Sequence, residues 1–220
     1  MKERILKAAI FDLDGTLLDS MGLWQEVDRT FFERRGIVMP LDYGSTIAPM
    51  GFPAAAAYTK RTFSLSETED EIISEWNALA LDAYAHRVEE KPFVLEYLHR
   101  LDEKKIPIAA ATASHREYWE PALRRCGLYP MFQSFTEIRE VSRGKGFPDI
   151  YLEASRKLGM PAQQCAVFED ITAGVRGALK GGFYTVGVYD DHHSNEEELR
   201  TISHRFIRSF EELLTEDIFD

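Results

Sequence analysis

The chain has 220 residues, 45% of them hydrophobic, enough to fill a substantial core in one large domain or two modest ones. With 37 acidic against 26 basic residues and a formal charge of -11, it lacks the basic face that a nucleic-acid or anionic-membrane partner requires, and a small-molecule partner fits better. No run approaches the roughly 20 apolar residues of a membrane span. The stretch Ala8 to Phe11 is too short for a signal-peptide core, and the two cysteines, Cys126 and Cys165, form neither a disulfide framework nor a metal spacing. The expected setting is cytoplasmic.

In chain order, Leu6 to Phe11 is a short continuous apolar run, the pattern of a strand buried on both faces. Residues 19 to about 90 contain no convincing strand and read as helices. Leu23, Val27 and Phe31 recur at helical spacing before Gly36, Pro53 opens the AAAAYTKRTF segment, and Ser66-Glu67-Thr68-Glu69 reads as a capping box before Ile72, Trp76, Leu79 and Ala83. From Pro92 onward helix and strand alternate. Pro92 opens a helix with Phe93, Val94, Tyr97, Leu98 and Leu101 inward, and Ile106 to Thr112 is a buried strand. A helix from His115 ends at Gly127, and another begins near Pro148 and ends at Gly159. Cys165 to Asp170 is a strand, a short helix reaches Gly181-Gly182, and Phe183 to Val188 is a further strand. Glu196-Glu197-Glu198 after Asn195 reads as a solvated first helical turn.

Such alternation specifies an α/β fold, a Rossmann-like doubly wound parallel sheet with helices on both faces. The expected division is a core of residues 1–18 and 91–220 and an inserted α-helical cap of residues 19–90. Ligands of open α/β sheets lie outside the carboxyl ends of the strands, so an insertion directly after the first strand is placed to act as a lid.

The polar residues fall at those ends. Asp12 and Asp14 follow the first strand, Thr112, Ala113 and Ser114 follow the second, and Glu169 and Asp170 close the CAVF strand. Side chains two apart in extended chain point the same way, and Gly15 lets the backbone turn out of the strand. Carboxylates converging this closely repel one another unless a cation neutralises them. A small set of oxygen ligands suits Mg²⁺, which keeps several waters and leaves room for a phosphate. Lys145, just before a proline-opened helix, fits a point-charge phosphate ligand.

Four motifs in this order resemble the haloacid dehalogenase superfamily, in its phosphatase and β-phosphoglucomutase-like branch with a helical cap after the first motif. They are DxDGT at Asp12 to Thr16, Thr112-Ala113-Ser114, Lys145, and Phe168-Glu169-Asp170 followed by Gly174. The resemblance implies a Mg²⁺-dependent phosphatase acting on a small phosphorylated metabolite, with a sugar phosphomutase as the alternative and a non-catalytic binding protein as the different class. It also implies Asp12 as nucleophile, Asp14 as general acid and base, and Thr112, Ala113 and Lys145 on the phosphate. Asp12, the backbone carbonyl of Asp14 and Asp170 hold the metal, with Glu169 as an additional or outer ligand. A monomer is the default for this cap type. Gly146 stands where a proline commonly follows the motif lysine, which leaves the loop presenting Lys145 less constrained.

Other residues have plainer readings. His115 and Arg116 read as surface positions, Cys126 as packing before Gly127, and Trp24, the loop Gly44 to Pro53 and Lys60-Arg61 as cap residues with no assignable role. Dehalogenation needs neither the second aspartate nor the metal, and phosphonate cleavage needs a Schiff-base lysine, for which Lys60 has no support.

Overall fold

In a computed structural model that describes residues 5–47, 50–192 and 195–219, the chain forms two units, Met1–Met21 with Val88–Asp220, and Gly22–Arg87. Ala48 and Pro49, in the middle of the Gly44 to Pro53 loop, lie outside the described residues, as does the start of the N-terminal segment.

The first unit is built on a buried strand. β1 (Ala8–Phe11) is fully buried, as its unbroken apolar run requires. At its exit the chain folds into a short antiparallel ribbon, in which Asp19 N–H donates to the Glu89 carbonyl at 2.9 Å and Lys91 N–H to that of Leu17 at 2.8 Å.

The second unit is helical. α1 (Leu23–Glu33) buries Leu23, Val27, Phe31 and Phe32 along one stripe, and α2 (Tyr43–Ile47) occupies part of the stretch expected as loop. α3 (Phe52–Phe63) and the long α4 (Glu69–His86) follow. The capping box lies two residues later than the sequence suggests. Thr68, not Ser66, has the extended backbone of an N-cap and accepts from Glu71 N–H, while Glu71 accepts from Thr68 N–H at 2.7 Å. Trp24 packs edge-on to Phe52, and the Lys60 ammonium is taken up by the carbonyls after α3. Asp28 is buried on the core side of α1. Among the described residues no cation pairs with it, and burial pushes its carboxyl up to about 7.

Back in the first unit, α5 (Val94–Glu103) starts later than expected. Lys91 to Val94 form a turn with Pro92 at its second position, and Phe93 takes a left-handed backbone (φ 65°). Phe93 is therefore exposed, whereas Val94, Tyr97, Leu98 and Leu101 point inward. β2 (Ile108–Thr112), α6 (Arg116–Arg125), β3 (Ser134–Glu137), α7 (Asp149–Lys157), β4 (Cys165–Glu169), α8 (Thr172–Lys180), β5 (Tyr184–Val188), α9 (Glu196–Ile202), β6 (Arg205–Ile207) and α10 (Glu211–Thr215) complete the chain. The Asn195 side chain accepts from Glu198 N–H at the first turn of α9.

Among the described residues six strands pair parallel throughout in the order β3-β2-β1-β4-β5-β6. This is a Rossmann-like doubly wound sheet. The sequence pattern predicts neither β3 nor β6. On one face Ala8, Ile10, Ala109, Ala111, Cys165 and Val167 pack with Ile150, Tyr151, Ala154, Ala178 and Phe183. On the other, Phe11 stacks on Phe168 at 4.3 Å beside Tyr97 and Phe210. Among the described residues no helix is long and apolar enough to cross a membrane.

Candidate active site

The strand order reverses at β1, with β2 on one side and β4 on the other, and such a switch point opens a crevice at the carboxyl ends. Each of these three strands ends in polar residues. Asp12 follows β1, its N–H donating to the Phe168 carbonyl at 3.0 Å, Thr112 ends β2, and Glu169 ends β4 with Asp170 next. Parallel register thus brings residues more than 150 positions apart into one place.

One oxygen from each of Asp12, Glu169 and Asp170 lies within 4.8 Å of the others, and all three residues are buried. The buried Lys145 ammonium joins two of them, pairing with Asp12 Oδ1 and with Glu169 Oε1 at 2.6 Å. Tyr151 donates its hydroxyl to the same Oε1 at 2.7 Å, and Thr16 donates to Asp170 Oδ1 at 3.1 Å. Burial, then the neighbouring charges of Glu169 and Asp170, push the Asp12 carboxyl well above its ordinary range against the pull of Lys145. Burial and Glu169 push Asp170 up to about 7. Burial opposes the charge on Lys145, but Asp12 and Glu169 prevail and hold its pKa above the usual value.

Gly15 makes this convergence possible. Its φ of +77° is one that a side chain resists, and a Cβ there would lie 2.4 Å from Asp170 Oδ2. The Lys145 loop is well anchored despite Gly146. Lys180 donates to the Gly146 carbonyl at 2.8 Å, and a Cβ on Gly177 of α8 would fall 1.9 Å from the Lys145 carbonyl oxygen.

Asp14 is only half-buried and is not one of the three clustered carboxylates. Ser20 donates to its Oδ1 at 2.6 Å and Ser114 to its Oδ2. Thr112 is fully buried, with Oγ1 accepting from Ser114 N–H at 3.0 Å, while Ala113 is exposed. His115 and Arg116 are exposed, and Arg116 pairs with Glu120 one turn along α6. Cys126 packs at the end of α6 beside the Val88 carbonyl, and burial pushes its thiol up to about 11. Thr16, the last residue of the first motif, reaches Asp170 from the turn that follows Gly15, and Tyr151 is the residue that the motifs did not single out. Tyr151 carries no signal in the sequence, because an aromatic on the inner face of a helix reads as core.

The donor set suits a hard divalent cation. All its members are oxygens, and two of them, Glu169 Oε2 and Asp170 Oδ2, are buried without a hydrogen-bond partner among the described residues. Lys145 alone cannot balance three buried carboxylates.

Comparison with known proteins agrees with this architecture. Residues 9–188 match the family described as haloacid dehalogenase-like hydrolase. The validoxylamine A 7'-phosphate phosphatase of Streptomyces hygroscopicus subsp. limoneus is 32% identical over 187 residues, 84% of this chain and 87% of that protein. Hexitol phosphatase A of Escherichia coli is 29% identical over 188 residues, covering 83% and 82%. A solved Thermotoga maritima protein shares the fold with a TM-score of 0.87 over 96% of this chain and 100% of that one, at 24% identity. With four motifs in order and a sheet that gathers them at its switch point, the chain belongs to the haloacid dehalogenase-like hydrolases.

Proposed function

We propose that this protein is a Mg²⁺-dependent phosphatase that hydrolyses a small phosphorylated metabolite through an aspartyl-phosphate on Asp12. The observation that carries the reading is the buried lysine held between Asp12 and Glu169 beside an Asp170 oxygen with no hydrogen-bond partner among the described residues. That arrangement aims one carboxylate as the nucleophile, sets a single buried ammonium beside it for phosphoryl oxygens, and leaves a carboxylate oxygen for a cation. The names of the two phosphatase relatives support a polyhydroxylated phosphate monoester as the substrate class.

In the first step an Asp12 carboxylate oxygen attacks phosphorus, and the bond to the leaving oxygen breaks. Asp14 gives its proton to that oxygen, and the alcohol departs. In the second step Asp14 takes a proton from water as the water attacks the phosphoryl group, the bond to Asp12 breaks, and inorganic phosphate leaves. Ser20 and Ser114 hold Asp14 by both oxygens, which orients it for these two transfers. Thr112 and nearby backbone N–H groups bind the phosphoryl oxygens with Lys145, which also keeps Asp12 aimed. Asp12, the Asp14 carbonyl and Asp170, with Glu169, would hold Mg²⁺, which supplies the positive charge that the acidic cluster and the transferring phosphoryl group both need.

A screen of hexitol and sugar phosphates with Mg²⁺ tests the proposal. Phosphate is released without any sugar acceptor, and Asp12→Asn lowers the rate by on the order of 10⁴-fold or more. Isomerisation of a sugar phosphate with little phosphate release would instead establish the phosphomutase, and an equally active Asp12→Asn would remove the mechanism.

A further inference from the structure

We propose that Tyr151 is a positioning residue that fixes Glu169 and so determines which of its oxygens remains as a cation donor, an inference that rests on the metal-dependent reading above. Along β4 the alternation of faces puts Cys165, Val167 and Glu169 on the side covered by α7. Glu169 is thus the last position of an otherwise apolar stripe, fully buried, where water cannot solvate its charge.

Its two oxygens are treated unequally. Oε1 receives both Lys145 at 2.6 Å and the Tyr151 hydroxyl at 2.7 Å, while Oε2 is buried and receives no hydrogen bond from the described residues. Gly174 of α8 leaves room for the group and nothing more, since a Cβ there would lie 2.3 Å from Glu169 Cδ.

Lys145 is shared with Asp12, so the lysine alone is a divided anchor. A phenol supplies a second donor without adding charge, and two donors on one oxygen resist rotation of the carboxylate about its last bond. The Tyr151 ring is itself held in the core, edge-on to Phe183 at 6.2 Å, so its hydroxyl has little freedom. Phenylalanine would fill the same space without that donor.

The test is calorimetric titration of the metal-free protein with Mg²⁺ alone, and with Mn²⁺ alone, for wild type, Tyr151→Phe, Glu169→Gln and the double variant. Far-UV circular dichroism confirms that each is folded at the titration temperature. Tyr151→Met, which removes the same hydroxyl while filling the space differently, is titrated alongside to separate loss of the donor from a packing defect. Tyr151→Phe binds Mg²⁺ about ten-fold more weakly, and adding it to Glu169→Gln weakens binding no further. Wild-type affinity in both Tyr151 variants, or additive losses in the double variant, would overturn the inference while leaving the metal-dependent reading intact. A wild-type protein that takes up neither ion overturns both.

Discussion

Asp12 and Asp28 are both buried carboxylates, one at the end of β1 and one inside the helical unit, and their surroundings separate chemistry from structure. Asp12 has Lys145 against it, which offsets part of the cost of its burial and fixes its direction, and two further carboxylates within reach, which add to the need for positive charge. Asp28 sits on α1 with no cation against it among the described residues, and burial alone moves it to about 7. Both are aspartates with little exposed surface, 5% and 7%. What marks a reactive site is the set of charges that converges on the buried group.

The sharpest way to break this comparison is to make Asp12 resemble Asp28. Lys145→Met leaves Asp12 and Glu169 buried without their counter-charge, and we expect the metal-free protein to lose about 3–5 kcal/mol, read by denaturant unfolding in EDTA. Stability within 1 kcal/mol of wild type would show that the lysine does not balance the cluster.

Asp28→Asn removes the uncompensated group. A folded-state pKa near 7 against an ordinary 3.8 means that the folded state holds the proton more tightly. The associated stability is fully present below about pH 4 and is lost as pH rises through 7. Relative to Asp28→Asn, the wild type therefore becomes less stable between pH 4.5 and 8, by on the order of 2–4 kcal/mol. Parallel thermal melts of the two proteins across that range that keep a constant separation would refute the assignment.

The smallest effect distinguishes two overlapping caps. Thr68→Ala costs about 1 kcal/mol because it removes the side-chain acceptor for Glu71 N–H. Ser66→Ala should stay within about 0.5 kcal/mol. Equal losses in the two urea titrations would place the helix start where the sequence alone suggests it.

That last pair illustrates what could be read in advance. β1, β2, β4 and β5 were legible because strands buried on both faces leave unbroken apolar runs. β3 (SFTE) and β6 (RFI) lie at the two sheet edges, are three or four residues long and carry polar side chains, so no such run exists. Pro92 signalled a start but could not say whether a turn or a helix began there. At the candidate site Asp12, Lys145, Glu169 and Asp170 were legible because each is a polar residue at a strand end or loop. Tyr151 was not, since a hydroxyl projecting from a core-facing ring looks like packing until its acceptor is seen.

The ribbon that joins Leu17–Asp19 to Glu89–Lys91 gives the chain a modular character. Backbone hydrogen bonds already hold together the two points between which residues 22–87 depart and return, so the loop-closure entropy of that long excursion is met locally, and it grows only slowly with length in any case. The sheet and its acidic cluster are thereby insulated from changes in the size or sequence of what is inserted. Evolution can exchange the helical unit without redrawing the strands that hold the acidic cluster together.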